Sequence, residues 1–171
     1  MNRHPGGEEH THQMLLTARD FGLRNGVRIL DMGAGAGETV RFLQREGFKA
    51  EGIDLKPRSE LVREGDMHGT DYPDESFDAV ISQCAFFVSG DPTAAAEEAR
   101  RVLKPDGLLL LSDVFFSEPM LSGFRILYRR DMTPAWREYY IEALWRGETC
   151  ECEIPKGKSR YLLLIAKKEE R

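Results

Sequence analysis

Short apolar runs alternate with amphipathic ones along this chain. Residues 27–32 (VRILDM) form an apolar run that ends in a glycine cluster, which predicts a buried strand. Residues 38–46 place Val40, Phe42 and Leu43 among charges, which predicts an amphipathic helix stopped by Gly47. Further strands are expected at 50–54, 61–64, 79–82 and 108–113. Turn residues at 73–76 (PDES) and 104–107 (KPDG) precede the last two. Asp91 and Pro92 begin a helix that runs to Leu103, and Thr133 and Pro134 repeat that start for a helix to about Leu144 or Trp145. Another helix is expected at 11–21. Residues 149–154 and 161–167 read as two strands joined by the five-residue loop 155–159. So short a connection makes them an antiparallel hairpin.

This alternation predicts one α/β domain over residues 1–171. Its core is a doubly wound, mostly parallel seven-stranded sheet with an antiparallel last strand. The length, 171 residues, fits a single domain, and a 41% hydrophobic content excludes a disordered chain. The formal charge is −5: residues 1–117 carry −7 and residues 118–171 carry +2. Neither part has the clustered cations that phosphate neutralisation requires, so no nucleic-acid partner is expected. The longest uninterrupted apolar stretch, 162–166, is far too short to cross a bilayer. The polar start, MNRHPGGEEHTHQ, predicts no secretory leader. Three cysteines, Cys84, Cys150 and Cys152, are too few for a disulfide framework, which points to a reducing, cytoplasmic setting. Metal binding by these thiols is not expected, because a zinc site wants four ligands.

Candidate chemistry concentrates at residues 29–38 (ILDMGAGAGE). Glycines at a strand-to-helix turn let the backbone bend tightly and a ligand approach the main chain. A dinucleotide site would want G-x-G-x-x-G, but Glu38 stands where its last glycine belongs. The pattern is instead D-x-G-x-G-x-G, from Asp31 through Gly33, Gly35 and Gly37.

That pattern resembles the cofactor loop of class I S-adenosylmethionine-dependent methyltransferases. The resemblance continues through Gly52-Ile53-Asp54-Leu55 and Gly65-Asp66-Met67, then through 72–82 (YPDESFDAVIS) and 101–108 (RVLKPDGL). It covers about residues 27–113 and looks like the small-molecule type of ubiquinone and menaquinone biosynthesis, whose phrases recur across many acceptors. It implies a Rossmann-like, three-layer αβα fold, S-adenosyl-L-methionine as cofactor and a methyl transfer to a small-molecule acceptor. The residues it assigns to the cofactor are Asp31, Gly33, Ala34, Gly35, Gly37, Asp54, Leu55, Asp66, Met67, Gln83 and Cys84. Asp54 would accept from the ribose hydroxyls and Asp66 from the adenine amino group. Asp31 either touches the ligand or orients the glycine loop. Only eleven residues separate Asp54 from Asp66, and Pro57 is among them. A full helix cannot fit there, so a shallow, open adenine site is expected.

The acceptor should sit beyond the ends of the strands at 79–82 and 108–113. Phe86 and Phe87 either face a sulfonium cation or belong to the core. Where an acceptor must lose a proton, the candidate bases are His68, Asp113 and Cys84, and none stands in a persuasive constellation. The segment 114–132 is apolar enough to be a lid or a dimer surface, and a homodimer or partner protein would cover it. A cofactor-binding regulatory or partner subunit with little activity of its own is the alternative reading.

Overall fold

The computed structural model describes residues 4–119, 121–147 and 158–170. Helix α1 (Gly7–Asp20) leads into strand β1 (Arg28–Met32), helix α2 (Glu38–Arg45), β2 (Lys49–Asp54), β3 (Val62–Glu64) and β4 (Phe77–Gln83). Helix α3 (Pro92–Val102), β5 (Leu103–Phe115), β6 (Phe124–Asp131), α4 (Thr133–Trp145) and β7 (Arg160–Lys168) follow. The seven strands form one sheet in the order β3-β2-β1-β4-β5-β7-β6. β7 runs antiparallel to both neighbours, and the pairings β1–β2, β1–β4, β2–β3 and β4–β5 are parallel. The mostly parallel sheet with an antiparallel last strand is therefore as expected.

Period-two alternation divides the core. Ile29, Ala79, Ile81, Leu108 and Leu110 face α1 and α2, where they meet Met14, Leu15, Val40 and Leu43. Leu30, Met32, Val80, Leu109 and Leu111 face the other way, onto Ala95, Ala99 and Val102 of α3. A third cluster joins Trp136 and Tyr140 of α4 to Val114 and Tyr161, at the end of the sheet where the parallel strands finish.

The expected hairpin at the C-terminus needs correction. Residues 149–154 lie outside the described residues, and among those described the partners of β7 are β5 and β6. A strand has two edges, and both edges of β7 are taken, by β5 across 160–167 and by β6 across 162–168. Its second partner is Phe124–Asp131, inside the segment read from sequence as a lid or dimer surface. The KPDG turn interrupts a longer β5. Phe77 pairs with Leu103 and Ala79 with Leu108, so four residues bulge out opposite Asp78. Lys104 ties that bulge down with an ion pair of 2.8 Å to Asp78. Residues 55–61 form no helix.

Candidate active-site cleft

The ends of β1, β2, β4 and β5 converge on the candidate site. β1 runs out into the glycine turn, where the backbone N–H groups of Gly33 and Ala34 both donate to the carbonyl of Ile53, each at 2.9 Å. Gly33, Gly35 and Gly37 all adopt left-handed φ values, of 88°, 54° and 75°. At Gly33 a side chain is also excluded by space, because a Cβ would lie 2.3 Å from the Cβ of Ala85.

Asp54, at the end of β2, holds the turn from below. One carboxylate oxygen accepts from the Gly35 N–H at 2.8 Å and the other from the Lys56 N–H at 2.9 Å. Loop-holding, which the sequence reading offered for Asp31, is thus done by Asp54. Asp31 is 3% exposed, and burial, with the Asp54 charge nearby, pushes its carboxyl up to about 7. Arg58 comes from the short stretch after β2. Its backbone N–H donates to the Gly35 carbonyl at 3.0 Å, and its guanidinium lies where a Cβ on Gly35 would go, 2.4 Å away.

These groups border a cleft of about 640 Å³, a size in the usual range for small-ligand sites. Of the sequence-predicted residues, Asp31, Gly33, Ala34, Gly35, Asp54, Leu55, Met67, Gln83 and Cys84 line it. Two do not. Gly37 starts α2 and packs against the stretch 59–62, where a Cβ would meet Leu61 and Val62 at 3.2 and 3.1 Å. Asp66 turns toward its own loop, accepting from the His68 N–H and facing the His68 Nδ1, both at 2.9 Å. Gly65 lines the cleft in its neighbourhood. Among the candidate bases, His68 stays outside the cleft, whereas Asp113 and Cys84 line it.

Asp113 lies near the end of β5, and burial raises its carboxyl to about 6. Its oxygens accept from the Phe87 N–H at 3.1 Å and the Val114 N–H at 2.7 Å, which fastens the loop after β4 to β5. Cys84 carries a left-handed φ of 56°, a strained conformation for a residue with a side chain. Its Sγ lies 3.2 Å from the hydroxyl of the fully buried Tyr161, which also donates to Ser112. Phe86 is core, 2% exposed, and Phe87 packs at the edge of the third cluster against Phe116.

Sequence reasoning missed one wall. His4, Pro5, Thr39, Arg58, Trp136, Tyr139 and Tyr140 also line the cleft. Trp136 stacks on Tyr161 at 6.0 Å and meets Tyr140 edge-on at 5.6 Å. The Thr133-Pro134 start located this helix in the sequence. Which of its faces lines the cleft is set by packing against Val114 of β5 and Tyr161 of β7, a pairing not read from the sequence.

A glycine turn after the first strand, an acidic residue closing the second and the observed strand order define the fold of class I S-adenosylmethionine-dependent methyltransferases. Residues 30–111 match the family described as Methyltransferase domain, and the resemblance read from the sequence is borne out. The glycine/sarcosine/dimethylglycine N-methyltransferase of Actinopolyspora halophila is 36% identical over 116 residues, 56% of this chain and 19% of that one. The demethylmenaquinone methyltransferase of Tropheryma whipplei is 28% identical over 141 residues, 74% of this chain and 58% of that one. The chain therefore spans well under two thirds of the length of these relatives. Among solved structures, phosphoethanolamine N-methyltransferase 2 of Haemonchus contortus in complex with S-adenosyl-L-methionine superposes with a TM-score of 0.69 at 21% identity. That likeness covers 98% of this chain and 54% of the other.

The residues present fit that cofactor. The Gln83 Nε2 is buried beside the cleft with no hydrogen-bond partner among the described residues. Leu55 offers an apolar side chain, 58% exposed, at the mouth. No helix of the described residues is long and apolar enough to cross a membrane, and none of their His, Cys, Asp and Glu side chains cluster as a metal site.

Proposed function

We propose that this chain binds S-adenosylmethionine in the cleft and transfers its methyl group to a small-molecule acceptor. One observation carries the reading: the glycine turn held by Asp54 opens into a single cleft that continues to the aromatic wall of α4. The cofactor supplies an electrophilic methyl group on a sulfonium. Asp54 keeps lone pairs for the two ribose hydroxyls beyond those used by Gly35 and Lys56, and such charge-assisted bonds are about twice as strong as neutral ones. Leu55 and Met67 flank the purine. Asp31 and Asp113 supply negative charge near the methyl-bearing end, which favours a cation there.

Trp136, Tyr139 and Tyr140 hold the acceptor in line with the methyl group and exclude water. Positioning of this kind can supply effective molarities of about 10⁵ M or more. Where the acceptor carries a proton, Asp113 is the group placed to take it. A cytoplasmic location and association with a second copy or a partner protein belong to the same proposal. The first rests on cysteines too few for a disulfide framework, the second on the exposed Phe116 and Ile126 of the segment 114–132.

The test is to incubate the chain with S-adenosylmethionine and a panel of amines, carboxylates, phenols and quinols, and to measure S-adenosylhomocysteine released. Turnover that depends on one acceptor class is expected. Binding with no turnover on any acceptor would replace this reading with that of a cofactor-binding subunit.

A further inference from the structure

The end of the cleft away from the glycine turn is walled by three aromatic side chains of α4, Trp136, Tyr139 and Tyr140. The Trp136 and Tyr140 rings meet at 87° with centroids 5.6 Å apart, and the Tyr140 and Tyr139 rings at 90° and 5.9 Å. Trp136 is backed by the buried Tyr161, stacked at 6.0 Å, which fixes its plane. Rings at right angles to one another offer electron-rich faces in more than one direction, the arrangement by which aromatic cages hold methylated ammonium groups. A carboxylate stands at the same end: Val114, the residue after Asp113, packs in one cluster with Trp136 and Tyr140, and Asp113 itself lines the cleft.

The charges around the cleft have the matching sign. The carboxyls of Asp31, Glu38, Asp54 and Asp113 border it, and among the described residues that line it the one arginine is Arg58 and there is no lysine. The Arg58 guanidinium is seated over Gly35, after β1, whereas Asp113 lies near the end of β5, with β4 between those strands. Burial lowers the pKa of His4, which keeps that ring neutral near pH 7. A cleft lined by one sign of charge concentrates the opposite sign and repels its own. We propose, resting on the cofactor reading above, that the acceptor group is an amine, bound as its ammonium ion against the α4 rings with Asp113 at the same end. Asp113 takes one proton from the ammonium. The freed nitrogen lone pair forms the N–CH3 bond as the S–CH3 bond breaks, its electron pair staying on sulfur. The positive charge passes from sulfur to nitrogen, and Asp113 gives its proton to water. A quaternary ammonium has no N–H to lose, so it is held by the same rings and not methylated.

The experiment titrates the chain, saturated with S-adenosylhomocysteine, with choline and with its uncharged isostere 3,3-dimethyl-1-butanol, by calorimetry. Choline should bind about 10-fold more tightly than the isostere. Tyr139→Leu, at a half-buried position, should cut that preference and Tyr139→Phe should keep it, with S-adenosylhomocysteine bound as in the wild type by both. In turnover, amines should release S-adenosylhomocysteine from S-adenosylmethionine. Equal affinity for the two probes, no binding of choline, a preference untouched by Tyr139→Leu, or turnover with carboxylates, phenols or quinols but not with amines would overturn the assignment. A wild-type chain that fails to bind S-adenosylhomocysteine would instead overturn the cofactor reading on which it rests.

Discussion

Gly33 and Gly35 look equivalent in the sequence, and the structure separates them. Both need left-handed φ, but a Cβ at Gly33 meets the short Ala85 side chain, whereas at Gly35 it meets the far end of the long Arg58 side chain. Gly33→Ala should therefore cost about 1–3 kcal/mol of stability in urea unfolding, and Gly35→Ala clearly less. Equal losses would mean that backbone conformation alone sets the cost. Asp54→Ala should weaken S-adenosylhomocysteine binding about 10- to 100-fold and loosen the turn, since Gly35 and Lys56 both lose an acceptor. Unchanged affinity in a folded variant would remove Asp54 from the ribose site.

The buried carboxyl of Asp31 gives a pH signature. Its folded pKa, about 7, lies above its ordinary value of 3.8, so its stabilising contribution is complete below about pH 4 and lost as pH rises through 7. His10, lowered by burial to about 4, works in the opposite sense, its contribution falling away as pH drops below the ordinary histidine value. Comparing wild type with Asp31→Asn isolates the first effect. The variant should gain on wild type by roughly 3 kcal/mol between pH 4 and 7. A difference that stays flat across that range would show Asp31 to be ordinary.

Elements were legible in the sequence where local signals and burial agreed. The Asp91-Pro92 start of α3 is one such case: the Asp91 carboxylate accepts from the Ala94 N–H at 2.9 Å, as an N-cap should. Asp91→Ala should cost about 1 kcal/mol, read from the shift in the thermal or urea midpoint. β6 was missed because edge strands bury one face at most. Its sequence FRILYRRD alternates Phe124, Ile126 and Tyr128 with Arg125, Leu127 and Arg129, and most of it is half-exposed or exposed. Three arginines and scattered apolar residues read as a surface segment, and the pairing that makes them a strand comes from β7, some forty residues away. The hairpin error has the same origin, because adjacency in sequence favoured the nearer partner.

For the whole molecule, the glycine turn and the acid after β2 were readable because their chemistry is local to a few residues. The wall formed by α4 and the N-terminal residues His4 and Pro5 were not. Each depends on elements far apart in the chain that the folded sheet brings together. Asp66 shows the reverse case, a residue in a matching motif whose carboxylate turns back to His68 and leaves the cleft to Gly65 and Met67. With no helix at 55–61, Arg58 and Leu55 are what the structure places over the turn and at the mouth.

The most direct test of the account is calorimetric titration of the purified chain with S-adenosylhomocysteine, with NAD as the control. The account requires binding in the micromolar range for the first and none for the second. Binding of NAD, or no heat with S-adenosylhomocysteine from a folded chain, would contradict it.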